Sequence, residues 1–320
     1  MKAKAHRPLR GADLRGAAVI LALGSGAARG WAHVGVIRAL LEAGVRIRAI
    51  AGTSMGALVG GVHAAGRIEA LAGVASSLDW RRMLYLFWDA PLPRSGLVDG
   101  HKLLQFVRQF VDFPRIESLP IPFRAVAADV ATGEEMVLAD GDVLDAIRAS
   151  ISIPGMFTPA PRGERFLVDG GIVNPLPVSV ARTLGPEPVI AVDVSYFEAG
   201  ATARPFAPLP PEPAAEPSRL SREVARITER VEAELRARWP DRLPSPWTPK
   251  KKSPPAIFDV IGNSIRIMET RITAARLSVE PPDLLLRPPL SGVGFMDFHH
   301  AADIIRLGYT AAREALGGPE

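Results

Sequence analysis

The hydrophobic positions of the chain fall into two alternating kinds of run. Val19–Leu23, Ile47–Ala51, Phe123–Val130, Arg165–Val168 and Val189–Val194 are short and largely apolar, as strands covered on both faces are. Between them the spacing changes. Residues 30 to 43 place Val34, Ile37, Leu40 and Leu41 at helical intervals and stop at Gly44. Ala57–Ala65 reads as a helix of small residues suited to close packing on a sheet, and His101–Val111 as an amphipathic helix with Leu103, Leu104, Val107 and Phe110 on one side. Thr132-Gly133 turns the third strand towards "EEMVLAD". After residue 256 the pattern resumes with a long helix from Ile257, a strand in "DLLLRP" and a last helix from about His300 to Leu316. Strands alternating with helices predict an α/β fold with a mostly parallel central sheet.

One stretch breaks the pattern. Prolines crowd residues 205–217 and again 240–255, the second time beside Lys250-Lys251-Lys252. Such composition favours extended backbone. Between the two arms, Ser218–Trp239 carries a seam of Leu220, Val224, Ile227, Val231 and Leu235, the spacing of one amphipathic helix. The expected plan is a basic tail over 1–17, a catalytic core over 18–198, a Pro-rich insertion over 199–256, and residues 257–320 completing the core domain.

Composition narrows the chemistry. The absence of cysteine removes disulfides, thiolate metal sites and cysteine catalysis together. A net charge of +4 gives only a mild attraction to anionic surfaces. No apolar run approaches the ~20 residues of a membrane span. The basic start "MKAKAHRPLRGADLRG" leads only into "AAVILALGSG", with no small-residue cleavage site after it. The expectation is a cytoplasmic protein with room for peripheral contact at the inner membrane face. No ligand cluster is visible, so neither metal nor cofactor is expected.

Candidate chemistry centres on "AIAGTSMGALVGG", residues 49–61. A strand, then G-T-S-M-G, then an apolar helix is the context that makes G-x-S-x-G informative. The turn lifts Ser54 clear of the sheet at a helix N-terminus, where partial positive charge suits a developing anion. Gly52 and Gly56 leave room for the neighbouring strand and helix. A serine nucleophile also needs oxyanion donors and a base. "GSGAARG", Gly24 to Gly30, follows the first strand and frees backbone N–H groups. It is no dinucleotide fingerprint: Arg29 fills the last glycine position, and the second strand ends without an acid for a ribose. For the base, His33 and His63 lie inside predicted helices, His6 is in the tail, and His101 opens a helix. His299 and His300 come late enough for a Ser-His-Asp order, while Asp169 in "FLVDGGIVNPLP" arrives at a strand end followed by two glycines.

Taken in order, "LALGSGAARGWAHVGVI", "GTSMGALVG", "GLVDGHKL", "AADVATGE", "IRASISIPGMFTP" and "LVDGGIVNPLPV" resemble the bacterial branch of the patatin-like phospholipases, densely over residues 18–198 and more loosely over 257–316. The resemblance implies a three-layer α/β/α patatin-like fold and a Ser–Asp dyad without a catalytic histidine. Ser54 would be the nucleophile, Asp169 the base, and the Gly26 and Ala27 amides the oxyanion donors. Arg29 would support the loop or a substrate phosphate, with Gly24, Gly30, Gly52, Gly56, Gly170 and Gly171 shaping the turns. Ala27 departs from the family, many of whose members have glycine there; alanine keeps the N–H but disfavours positive φ. The implied substrate is a phospholipid or lysophospholipid acyl ester rather than nucleic acid, and the oligomeric state stays open. The 199–256 insertion is expected to tune access to aggregated lipid. The alternatives are a Ser-His-Asp esterase using His299 or His300, and a non-catalytic lipid-binding regulator on the same fold.

Overall fold

Two buried faces on the central strands build the molecule in layers. The computed structural model describes residues 14–78, 99–197 and 257–317. The 199–256 insertion, with its expected helix and lysine cluster, and nearly all of the 1–17 tail lie outside the described residues. The chain divides into two compact units, residues 1–207 with 257–320, and residues 208–256; only the first is described.

Strands β1 (Ala18–Leu23), β2 (Arg46–Thr53), β3 (Phe123–Asp129), β7 (Val189–Val192) and β8 (Leu284–Leu286) run parallel in the order β3-β2-β1-β7-β8. Antiparallel strands β4 (Glu135–Leu138), β5 (Ala160–Arg162) and β6 (Arg165–Asp169) finish the sheet at the β3 end. Alternate residues of each central strand serve opposite cores. Val19, Leu21 and Leu23 of β1 enter the larger cluster, and Ile20 and Ala22 the smaller one. In β2, Ile47 joins the larger core and Ala49 the smaller. That is possible because the β1 register skips Arg48, a bulge that puts its charge outside.

The larger core lies under α1 (Ala32–Glu42), α2 (Met55–Ala64), α3 (Ile68–Ser76), α4 (His101–Arg108), α5 (Val143–Ser150) and α8 (Ala301–Ala315). The smaller lies under α6 (Val178–Arg182) and α7 (Ile257–Val279). This is the three-layer, mostly parallel architecture expected. Helices α3, α5 and α6, each of at most 9 residues, and the three-residue strand β5 have no counterpart in the sequence reading. Asp142 starts α5 by accepting the Leu144 and Asp145 amides at 2.8 and 3.0 Å.

Helices α1 and α8 cross where each carries a glycine. A side-chain carbon on Gly35 would lie 1.9 Å from Ile305 O, and one on Gly308 would lie 2.1 Å from Ala32 O. Backbone meets backbone, so neither position can yield. Gly35→Ala is therefore expected to destabilise the fold by on the order of 3 kcal/mol in urea titrations, whereas Gly73→Ala, whose Cβ would meet open space, should not. Equal effects of the two would show that the helices can move apart.

Candidate active site

Register brings together two residues 115 positions apart. On β3, Thr53 pairs with Val126 and Asp169 pairs with the next residue, Ala127. Because β4 fills the other side of β3 along Ala125–Ala128, β2 and β6 must share one side and run into each other end to end. The last residue of β6 therefore meets the residue that follows β2. Ser54 Oγ donates to Asp169 Oδ2 at 2.5 Å, with both residues buried.

The elbow at Ser54 is strained and held. Its φ of 55° and ψ of −123° are far from ordinary backbone for a side-chain-bearing residue. A carbon on Gly52 would lie 2.4 Å from Gly56 O, and one on Gly56 would lie 2.1 Å from Leu23 O, so only glycine lets α2 fold back this closely. Ser150 Oγ accepts the Ser54 amide at 2.9 Å and itself donates to Val126 O at 2.6 Å. Thr53 Oγ1 donates to Asn174 O at 2.8 Å, tying the elbow to the segment after Gly171.

Asp169 is tuned by its surroundings. Burial pushes its carboxyl up to about 7, while the hydrogen bonds from Ser54 and the Gly171 amide (2.7 Å to Oδ1) pull the other way and Glu269 adds to the rise. Its own amide donates to Ser152 O at 2.9 Å. A carboxyl near neutrality is a far better base at pH 7 than an ordinary aspartate.

The loop after β1 lies against the same hydroxyl. The Ser25 amide is spent on Pro175 O and the Ala28 amide on Phe295 O, whereas the Gly26 and Ala27 amides between them meet no acceptor among the described residues. Ala27 has φ 49°. Ala27 and Ser54 are the two non-glycine residues with positive φ among the described residues, and both line the hollows around the serine. Substitution at Gly26, Gly30 or Gly170 would drive a carbon into Val194, Met55 or Val126 O respectively, and at Gly24 would bring one to 3.0 Å from Val192 O. Arg29 is buried and donates to Val293 O at 3.0 Å. Burial foremost, and then Arg266, lower its pKa to about 9.

The Ser54 hydroxyl is bonded to Asp169, and His299 and His300 sit at the start of α8. His33 donates Nε2–H to Gly24 O at 2.8 Å, and burial brings its pKa down to about 4. Burial brings His63 to about 4 as well.

Two hollows flank Ser54. The larger is almost wholly apolar, lined by Trp31, Met55, Leu58, Leu103, Phe106 and Phe157 among others, and encloses about 40 Å³. The smaller contains Ser25, Asp169, Ile265, Phe295 and Glu269. Glu269 and Ser25 escape a sequence reading. Arg266, Glu269 and Thr273 form a buried polar seam on α7 at steps of three and four, a signal that shows only once the buried face of that helix is known.

Residues 21–182 match the family model described as patatin-like phospholipase. An uncharacterized NTE family protein of Mycobacterium tuberculosis is 36% identical over 336 residues, covering 93% of this chain and 91% of the relative. A second such protein of that organism is 31% identical over 303 residues, covering 95% of this chain and 47% of the relative. Patatin-like phospholipase domain-containing protein 7 of Mus musculus is 35% identical over 187 residues, covering 57% of this chain and 14% of the relative.

The strain at Ala27 sets a sign. An alanine held at left-handed φ costs about 1–2 kcal/mol, more than the chain entropy glycine adds to the unfolded state. Ala27→Gly should therefore stabilise the protein by roughly 0.5 kcal/mol in thermal melts, where the same change in an ordinary helix destabilises. A clear loss of stability would mean that the loop adopts another backbone.

Proposed function

The chain belongs to the patatin-like phospholipase family, a family of lipid hydrolases, and from that premise we propose that it is a serine acyl hydrolase in which Ser54 attacks a lipid ester and Asp169 is its base. The observation that carries this reading is the buried 2.5 Å bond from Ser54 Oγ to Asp169 Oδ2 at a strained elbow opening on an apolar hollow.

Asp169, as carboxylate, takes the Ser54 proton as Oγ attacks the ester carbonyl. The Gly26 and Ala27 amides and the N-terminal end of α2 stabilise the oxyanion. As the intermediate collapses, Asp169 returns the proton to the departing alkoxide, and the acyl group stays on Ser54. Water then gives a proton to Asp169 and attacks the acyl-enzyme, releasing the carboxylic acid and restoring Ser54. The apolar hollow suits an acyl chain, so the substrate is a phospholipid or lysophospholipid acyl ester met at a membrane surface. Among the described residues no helix is long and apolar enough to cross a membrane.

Ser54→Ala should cut turnover of a short-chain ester at least ~100-fold in a folded protein, and Asp169→Asn nearly as much. His299→Ala and His300→Ala should each keep most activity; a folded histidine variant without turnover would move the base role to a triad. A fluorophosphonate probe should label Ser54 in the wild type, and an unlabelled protein would favour a lipid-binding regulator. The rate needs Asp169 ionised, and its pKa is raised, so kcat/KM should climb as pH rises through about 7 and fall below it. A profile flat from pH 5 to 8 would remove Asp169 as the base.

A further inference from the structure

Glu269 is a fully enclosed carboxyl beside the dyad that the mechanism above does not use. It comes from α7, far from every motif, yet it touches the loop that carries the free amides. Ser25 Oγ donates to Glu269 Oε1, Ser195 Oγ lies 2.7 Å from Glu269 Oε2, and the same Ser195 Oγ lies 2.6 Å from Ser25 O. A carbon on Gly171 would sit 2.6 Å from Glu269 Oε1 and 3.1 Å from Asp169 Oδ1, so the two carboxyls flank one glycine.

Counting protons decides the state of this cluster. Ser195 has one hydroxyl proton and two oxygen neighbours. Ser25 O is a carbonyl and can only accept, so it takes the Ser195 proton. The Ser195–Glu269 contact then needs a proton from the other side, which only a carboxylic acid supplies. The result is a closed ring: Glu269 Oε2–H to Ser195 Oγ, Ser195 Oγ–H to Ser25 O, and Ser25 Oγ–H back to Glu269 Oε1. We propose that Glu269 is a positioning residue, held as the neutral acid, whose hydrogen-bond ring fixes Ser25 and so aims the Gly26 and Ala27 amides at the reacting carbonyl. This rests on the acyl-transfer reading of Ser54.

The charged neighbours agree with a neutral acid. The two arginines nearby bond elsewhere: Arg29 to Val293 O, and Arg266 to the Ser195 and Tyr196 carbonyls at 3.3 and 3.2 Å. Asp193 and Asp169 face the carboxyl from the ends of β7 and β6 and oppose a second negative charge. Burial is the largest influence and pushes Glu269 upward, against Ser25, Ser195 and Arg29. A neutral Glu269 also spares Asp169 a nearby like charge.

Glutamine copies a neutral acid in this ring: its carbonyl accepts from Ser25 and its amide donates to Ser195. Glu269→Gln should thus retain at least about a third of wild-type kcat on a short-chain ester, while Glu269→Ala should lose about tenfold or more in kcat with KM little moved, since misplaced oxyanion donors act on the transition state. A glutamine variant as slow as the alanine variant would overturn the neutral-acid assignment, and a folded alanine variant with wild-type kcat would overturn the positioning role. A second measurement needs no activity. In the Asp169→Asn background, the infrared band of a buried protonated carboxyl should be present at pH 7 and vanish on adding Glu269→Gln; its absence beforehand would overturn the proposal whether or not Ser54 proves to be the nucleophile. Fluorophosphonate labelling of wild-type Ser54 tests that underlying reading separately.

Discussion

Two strands that collide end to end on β3 set the terms for the rest of the structure. Thr53 and Asp169 pair with adjacent β3 residues, so the chain leaving β2 must turn away at once or run into β6. The turn it makes is tight enough to force Ser54 to φ 55° and to require glycine at positions 52 and 56. Strain of this kind persists only where surrounding structure over-determines it. Here the Ser150 hydroxyl, the Thr53 hydroxyl and the backbone contact with Leu23 do that work, and α2 begins directly at the serine.

Burial then does two opposite things. It makes a carboxyl at Asp169 a useful base by lifting it to about 7, and it makes every other polar group nearby costly unless bonded. The site answers in part with hydrogen bonds: Ser150 bridges Ser54 to Val126, His33 holds Gly24 O, Arg29 holds Val293 O, and Ser25, Ser195 and Glu269 hold one another, while Arg29 Nε and His33 Nδ1 meet no partner among the described residues. The amides of Gly26 and Ala27 stand outside these bonds, which is what an oxyanion site requires.

The two sides of the sheet divide the labour. The larger core, closed by the glycine crossing of α1 and α8, continues into the apolar hollow beside Ser54. The polar seam of α7 approaches from the C-terminal part of the chain and reaches the loop after β1. Patatin-like architecture thus draws its hollow for an apolar group and its polar bracing from different stretches of sequence.

Local pattern alone carried the strands other than β5, the long helices and the mostly parallel α/β layering, because periodicity of two or 3.6 is written in consecutive residues. It also singled out Ser54 and the loop from Gly24 to Gly30, since a glycine-flanked turn between strand and helix is a local event. The pairing of Asp169 with Ser54 entered from family resemblance and not from spacing, because it depends on the register of three strands. Helices α3, α5 and α6 had no counterpart in that pattern. The bond from Arg29 to Val293 O and the arrival of Glu269 and Ser195 at Ser25 came only from tertiary packing. Their partners lie 244 to 264 positions away for Ser25 and Arg29, and no rule linking neighbours in sequence reaches that far.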